Sequence, residues 1–589
     1  MDSASPAASS PGAAAHPLFE PADYAMFAVM MAVSGLVGVY YGCYKRQDTV
    51  QDYLLGGKAM NIFPVAMSLI ASNVSGITML GVPAEMYTYG SQYFALNFSA
   101  VLVCVVTVRW FVPVFFTLQF TSSYEYLEHR FNRTIRQIAS FLFGLGLLLY
   151  LPVVIYVPCL AFNQVSGIDL HIIAPLVMSI CIFYTTVGGL KAVVWTDALQ
   201  LVVLVAASIV VITLGVIMIG GPGELLARAN MGGRLELFNM NPDPLVRTTF
   251  WTVFVGSVPD ILCNHAVSPT SVQRFLSVPT LRDARWLGIF LCIGYIVTKA
   301  LSCITGILVY ATYHDCDPLK TRAIKKPDQL VPYFVMDVAR VVPGLPGLFV
   351  AGVFSAALST MSSGLNTLAG TLYEDFLVRI LARSGRTPSD QQASLIVKGL
   401  ALLVGVICMV LMFVVEKMGS VLQITYTLSG ITGGAQLGLF LLGLFVPWAN
   451  AMGAMAGGLS GLLLMAWVVV GSQVALATKQ LVYPWLPTRV DGCANNVTDI
   501  LHDKDMTWTN SILVNATNPA DTFLLYRLSY YYYTLIGALI VVVVGFVVSV
   551  LTGPQDPKTM NRDLLSPAIH GFLPEPCKQP EHIKMAPRP

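Results

Sequence analysis

Apolar runs close to the ~20 residues that span a bilayer recur along nearly the whole of this chain. Inside a bilayer such a run satisfies its backbone polar groups only as a helix, so an all-α polytopic membrane protein is the expected fold. Composition agrees, with 55% hydrophobic and only 11% charged residues, against roughly 25% charged in a soluble domain. A soluble enzyme is excluded, and no catalytic residues are expected. Lys and Arg total 34 against 32 Asp and Glu, a formal charge of +2, which argues against a nucleic-acid partner. The 11 cysteines include no C-x-x-C pair, so neither a zinc nor a redox motif is present. Residues Met1–Ala15 lack the basic region and apolar core of a signal peptide.

Hydropathy predicts about thirteen spans, near 24–43, 62–89, 93–117, 138–162, 172–190, 197–220, 250–273, 287–312, 346–376, 394–415, 419–444, 452–471 and 529–552. Residues 1–23 carry no Lys or Arg, whereas Lys45, Arg46 and Lys58 follow the first span. The positive-inside rule therefore puts the N-terminus outside and the 554–589 tail in the cytoplasm. Lys320, Arg322, Lys325 and Lys326 run against the rule locally. The polar loop at about 472–528 falls outside and contains two glycosylation sequons, at Asn496 and Asn515. Cys316 and Cys493 fall in two outward loops and could pair; the other reading is two unrelated thiols.

Gly and Pro cluster in two spans. Gly76, Gly81 and Pro83 are expected to interrupt the second, and Pro259 and Pro269 the seventh. Two interrupted helices, each opening a run of about five spans, point to an inverted-repeat transporter; kinked helices that merely pack are the alternative. The ninth span carries Ser355, Ser359, Ser362 and Asn366 on one helical face, with Thr360, Ser363 and Thr367 beside them. In the second span Ser68, Ser72 and Ser75 share a face, next to Asn73 and Thr78. Hydroxyls, together with carbonyls freed around Ala71 and Val74, would make an oxygen cage suited to a hard cation such as sodium. Gly457 and Gly461 read as a packing face. Ionisable residues within spans are functional candidates. Asp260 lies close to His265 in sequence and could be neutralised by Lys299, as an ion pair or as part of a substrate or proton site. Asp197 is expected at an inner helix end, as a cap or lining the cytoplasmic exit.

With these residues in view, the chain resembles the sodium/solute symporter family, and within it the branch of monocarboxylate, multivitamin and iodide carriers. The resemblance runs from about Asp23 to Gly553. It is carried by LGVPAEMYTYG (80–90), FTSSYEYLEHRFN (120–132), FNQVSGIDL (162–170) and FYTTVGGLKAVVWTDALQ (183–200). Further matches are FNMNPDPLVRTTFWT (238–252), YHDCDP (313–318), KPDQL (326–330) and GLPGLFVAGVFSAALSTMSSGLNTL (344–368). It implies thirteen helices in one symporter domain (24–553), whose ten-helix core of two inverted five-helix repeats covers about 62–220 and 250–444.

The resemblance also implies sodium-driven uptake at the plasma membrane, with Na+ as coupling ion and no organic cofactor. The implied sodium site takes the carbonyls of Ala71, Val74 and the Ser355 region with the hydroxyls of Ser359 and Thr360. Ser75, Thr78 and Tyr150 fall in the implied substrate or second-ion region. The stretch Ser75–Thr78 reads SGIT, and its Thr is similar to the monocarboxylate branch. Three departures stand beside this. Asn73-Val74 replaces Phe-Met, Leu151-Pro152 replaces Thr-Gly, and HAVSPTSVQR (265–274) replaces YGVNQ-x-QVQR, with Asp260 added nearby. The expected substrates are small organic anions such as lactate, pyruvate or nicotinate. Iodide, a vitamin carboxylate such as biotin or pantothenate, a sugar, or a sodium-gated sensor or leak channel are the alternatives. Oligomeric state is not legible.

Overall fold

The computed structural model describes residues 18–43, 61–120, 122–385, 388–416, 420–493 and 522–574. Asn496, Asn515, residues 1–17 and residues 575–589 lie outside the described residues, as do Lys45, Arg46, Lys58 and Arg386. Every major element is a helix. Among the described residues, nine helices are long and apolar enough to cross a bilayer, ten when the bent pair Ile62–Asn73 and Ile77–Tyr89 counts as one span.

The expected fifth and sixth spans do not separate. A single helix runs Leu170–Met218, 49 residues or about 73 Å at 1.5 Å per residue. Gly188 and Gly189 lower helix propensity there, but no Pro falls between the two expected spans to break the helix.

The helix Leu345–Leu372 is the centre of the bundle. Every side chain from Phe349 to Thr371 is buried, and it packs against the long helix, Arg133–Ser166 and the first helix, Pro21–Cys43. Burial on all sides explains its small residues, which let neighbouring backbones approach. On the periphery Leu402, Val410, Leu463, Val543 and Val547 are exposed, the apolar exterior expected of a lipid-facing surface. Gly457 sits where a Cβ would lie 2.5 Å from the Val541 carbonyl oxygen. It thus permits close packing of Ala451–Ala477 on Tyr533–Leu551.

Cys316 and Cys493 are joined by a disulfide, with Cα atoms 5.0 Å apart. Two of the cations that ran against the charge rule are absorbed locally. Lys320 Nζ donates to the Thr488 carbonyl at 2.7 Å, and Lys326 Nζ to Tyr156 Oη at 2.8 Å and the Glu416 carbonyl at 2.6 Å.

Candidate functional site

The first interruption falls at Val74, two residues before Gly76, the nearest of the expected helix breakers. Ser72 and Asn73 turn their side chains back onto the Ser68 and Leu69 carbonyls, both at 2.8 Å. This competition with the backbone is how Ser and Asn end helices. Val74 is extended (φ −111°, ψ 105°). The chain resumes as a π-helical turn, Ile77–Gly81, and then Val82–Tyr89 with Pro83 in its first turn. The two halves are bent by 57°. In the second interrupted helix Pro259 lies inside Phe250–Leu262 without ending it. The break comes later, at the π-helical turn Cys263–Val267 and the extended Ser268, with Pro269 opening the next helix.

Ala71 and Val74, at the first break, face Ala356 and Ser359 across a cavity of about 10 Å³, completed by Gln200, Leu201 and Leu204. That is about the room one water-sized ligand needs. The Ser359 hydroxyl is buried without a hydrogen bond of normal geometry, although it interacts with Asp197 at longer range. A buried hydroxyl beside carbonyls at a helix break is a donor set that fits a hard cation. The remaining expected ligands part company. The Ser355 hydroxyl is buried and unpartnered but does not line this cavity, while Thr360 donates to the Ala356 carbonyl at 3.1 Å and lines a second, larger one.

That larger cavity, of about 220 Å³, is lined by both interrupted helices and gathers Ser75, Thr78, Tyr150, Asp260, His265 and Lys299. Tyr150 interacts with Ser75. The His265 ring meets Tyr295 edge-on, with centroids 5.0 Å apart. Lys299 Nζ donates to Thr78 Oγ1 at 3.2 Å and Tyr93 Oη at 3.3 Å, and lies 5.3 Å from the centroid of the Tyr295 ring. No direct Asp260–Lys299 ion pair forms, so the pairing considered from sequence is corrected. Lys299 spends its hydrogen bonds on hydroxyls, and the two charges act on each other only at Coulombic range. Asp260 and His265 are not paired either. At one end a layer of buried tyrosines closes the cavity, with Tyr426 5.0 Å from Tyr531 and 5.9 Å from Tyr530. Toward the other end Asn264 is exposed and Ser72, Asn73 and Thr270 are half-buried, so solvent reaches the cavity from that side.

Asp197 is also corrected. It stands in the interior of the long helix, fully buried, rather than at a helix end. Its Oδ2 accepts from Ser68 Oγ at 2.8 Å and lies 3.7 Å from Arg274 Nη2. Arg274 was not singled out from the sequence, yet it ties three helices together. It donates to Ser68 Oγ (3.2 Å), Ser72 Oγ (2.7 Å), Ser363 Oγ (3.1 Å) and the Thr270 carbonyl (3.0 Å). A second unforeseen cluster sits at the far end of the broken helix. Glu85 and Arg247 form a buried two-pronged ion pair, with Tyr89 stacked 3.5 Å from the guanidinium and Tyr530 donating to Glu85 at 3.4 Å. The rule that flagged Asp260, an ionisable group within a span, applied equally to Glu85.

Comparison with known proteins now adds to this geometry. The chain is 38% identical to the sodium-coupled monocarboxylate transporter 1 of Xenopus laevis, covering 95% of this chain and 90% of that one. It is 39% identical to sodium-coupled monocarboxylate transporter 2 of Bos taurus, over 93% of this chain and 87% of the relative. To the human sodium/iodide cotransporter it is 37% identical, over 93% and 86% respectively. A solved outward-open, substrate-bound Na+-coupled sialic acid symporter shares the fold, with a TM-score of 0.71 at 24% identity, covering 91% of this chain and 99% of that structure. The sodium:solute symporter family model matches residues 53–461, and the chain belongs to that family, whose coupling ion is sodium.

Proposed function

We propose that this protein imports small monocarboxylates, the class of lactate, pyruvate and nicotinate, together with sodium, by alternating access across the plasma membrane. One observation carries the reading: a single break in one helix faces both cavities. Ala71 and Val74 turn to the ion-sized cavity and Ser75 and Thr78 to the larger one. A cation that orders the break would therefore change the affinity of the neighbouring cavity, and the coupling is reciprocal. Ala71, Val74 and Ser359 are the proposed sodium ligands. The Lys299 ammonium, held beside Thr78, offers the charge a substrate carboxylate needs. Sodium entry supplies about 2.3 kcal/mol per 100 mV, and about 1.4 kcal/mol for each tenfold gradient, enough to concentrate an anion many-fold.

In this reading residues 1–23 and the 472–528 loop face outside and the 554–589 tail is cytoplasmic. The Cys316–Cys493 disulfide supports that orientation, because disulfides persist in oxidising compartments. The two core repeats remain those at about 62–220 and 250–444. Glycosidase should shift the mobility of the wild type and not of the Asn496→Gln/Asn515→Gln variant; loop access only after permeabilisation would reverse the topology. The test of function is a radiolabelled uptake panel in oocytes with current recording. Sodium-dependent, electrogenic lactate or nicotinate uptake is expected. Uptake of iodide in place of every carboxylate would overturn the substrate class, and a substrate-independent sodium current would indicate a channel.

A further inference from the structure

The larger cavity carries two opposite fixed charges that the protein itself does not join. Among the described residues Lys299 donates its hydrogen bonds to Thr78 and Tyr93 and lies over the Tyr295 ring. Among the described residues the Asp260 carboxylate has no hydrogen-bond donor, and only its main-chain carbonyl is used, by Asn264 Nδ2 at 2.9 Å. An ionised carboxylate at membrane depth is costly unless something compensates it. A plain monocarboxylate would answer Lys299 and be repelled by Asp260. The tyrosines of this cavity, Tyr150, Tyr295 and Tyr426, add ring faces that attract an organic cation.

We infer that the cavity is built for a small zwitterion, a monocarboxylate that also bears an ammonium group, with its carboxylate directed to Lys299 and Thr78 and its ammonium to Asp260. This rests on the monocarboxylate reading and narrows it. About 220 Å³ of space accommodates an amino acid of a few carbons together with several waters, at about 30 Å³ each. A bare sodium ion at Asp260 would need no aromatic lining, and Lys299 in the same cavity would oppose it without an anion bound.

The test uses purified full-length protein in proteoliposomes with an inward sodium gradient. The probes are matched pairs: propionate against β-alanine, and butyrate against γ-aminobutyrate. The expected result is that the ammonium-bearing member of each pair enters at least tenfold faster. Asp260→Asn should reverse that order, and Asp260→Glu should keep it. Preference of the wild type for propionate and butyrate would overturn the inference while leaving the monocarboxylate reading intact. Uptake of neither member of either pair, with the protein active on iodide, would remove both. If Asp260→Asn raises the sodium needed for half-maximal uptake without altering the preference, Asp260 is a cation ligand and the inference also fails. Should Asp260→Asn not fold, the wild-type preference and the Asp260→Glu variant still decide it.

Discussion

Two acid–base couples sit within a few turns of the broken helix, and they are built in opposite ways. Asp197 and Arg274 are both buried, and three serines and the Thr270 carbonyl accept the hydrogen bonds of the guanidinium. Asp260 and Lys299 share a cavity wall with solvent on one side and do not touch. A closed couple holds helices together, because each charge is compensated by fixed neighbours. An open couple leaves compensation to whatever enters. The first therefore belongs to the architecture that carries the ion-sized cavity, and the second to recognition in the larger one.

The largest effect should come from breaking the closed couple. Removing one member of a buried pair strands the other, at a cost of about 3–5 kcal/mol. Arg274→Ala should thus abolish most surface expression and lower the thermal unfolding temperature of detergent-purified protein. Asp197→Asn, which keeps the shape and removes the charge, should do less. Arg274→Ala at wild-type expression and unfolding temperature would erase the distinction between the couples.

Next in size is the sodium dependence. Ser359 faces the ion-sized cavity, whereas the Thr360 hydroxyl is engaged with the Ala356 carbonyl and faces the larger one. Ser359→Ala should raise the sodium needed for half-maximal uptake about tenfold, equivalent to ~1.4 kcal/mol. Thr360→Ala should shift it less than Ser359→Ala and chiefly alter substrate affinity. Equal effects of the two on sodium would restore the five-ligand set expected from sequence and blur the boundary between the cavities.

Much of this arrangement was legible because it is periodic or local. Span positions follow from hydropathy, and the Ser355–Asn366 stripe from helical spacing. That two helices are interrupted follows from Gly and Pro, whereas the place of the first break is set by Ser72 and Asn73, whose side chains compete for carbonyls. What escaped depends on how distant helices meet. Helical phase can align Asp260 with Asn264 but cannot show that Lys299 is taken by Thr78 and Tyr93. Asp197 was read as a helix end because the polar WTD stretch looks like a boundary. In the fold it is the place where a continuous helix meets Ser68 and Arg274. Glu85 and Arg247 lay in stretches that carried the family resemblance, and nothing local joins residues from two such separate segments. The splitting of Ser359 from Thr360 is likewise a matter of which neighbour each faces.

The smallest effect, and the sharpest on the comparison, is the coupling between Asp260 and Lys299. Groups in one hydrogen-bonded network show interaction energies of about 0.5–3 kcal/mol in a double-mutant cycle, whereas separated groups add within about 0.5 kcal/mol. A cycle of Asp260→Asn and Lys299→Gln, read by thermal unfolding in the absence of substrate, should therefore be nearly additive. The matching cycle of Asp197→Asn and Arg274→Gln should not be, since there the second substitution removes a charge that the first has stranded. Adding a carried substrate should stabilise the wild type through its preferential binding to the folded state, and either single variant at the open couple should lose most of that gain. Strong coupling between Asp260 and Lys299 without substrate would mean that they pair directly at rest. The cavity would then present no free carboxylate, and the two couples would differ only in their exposure to water.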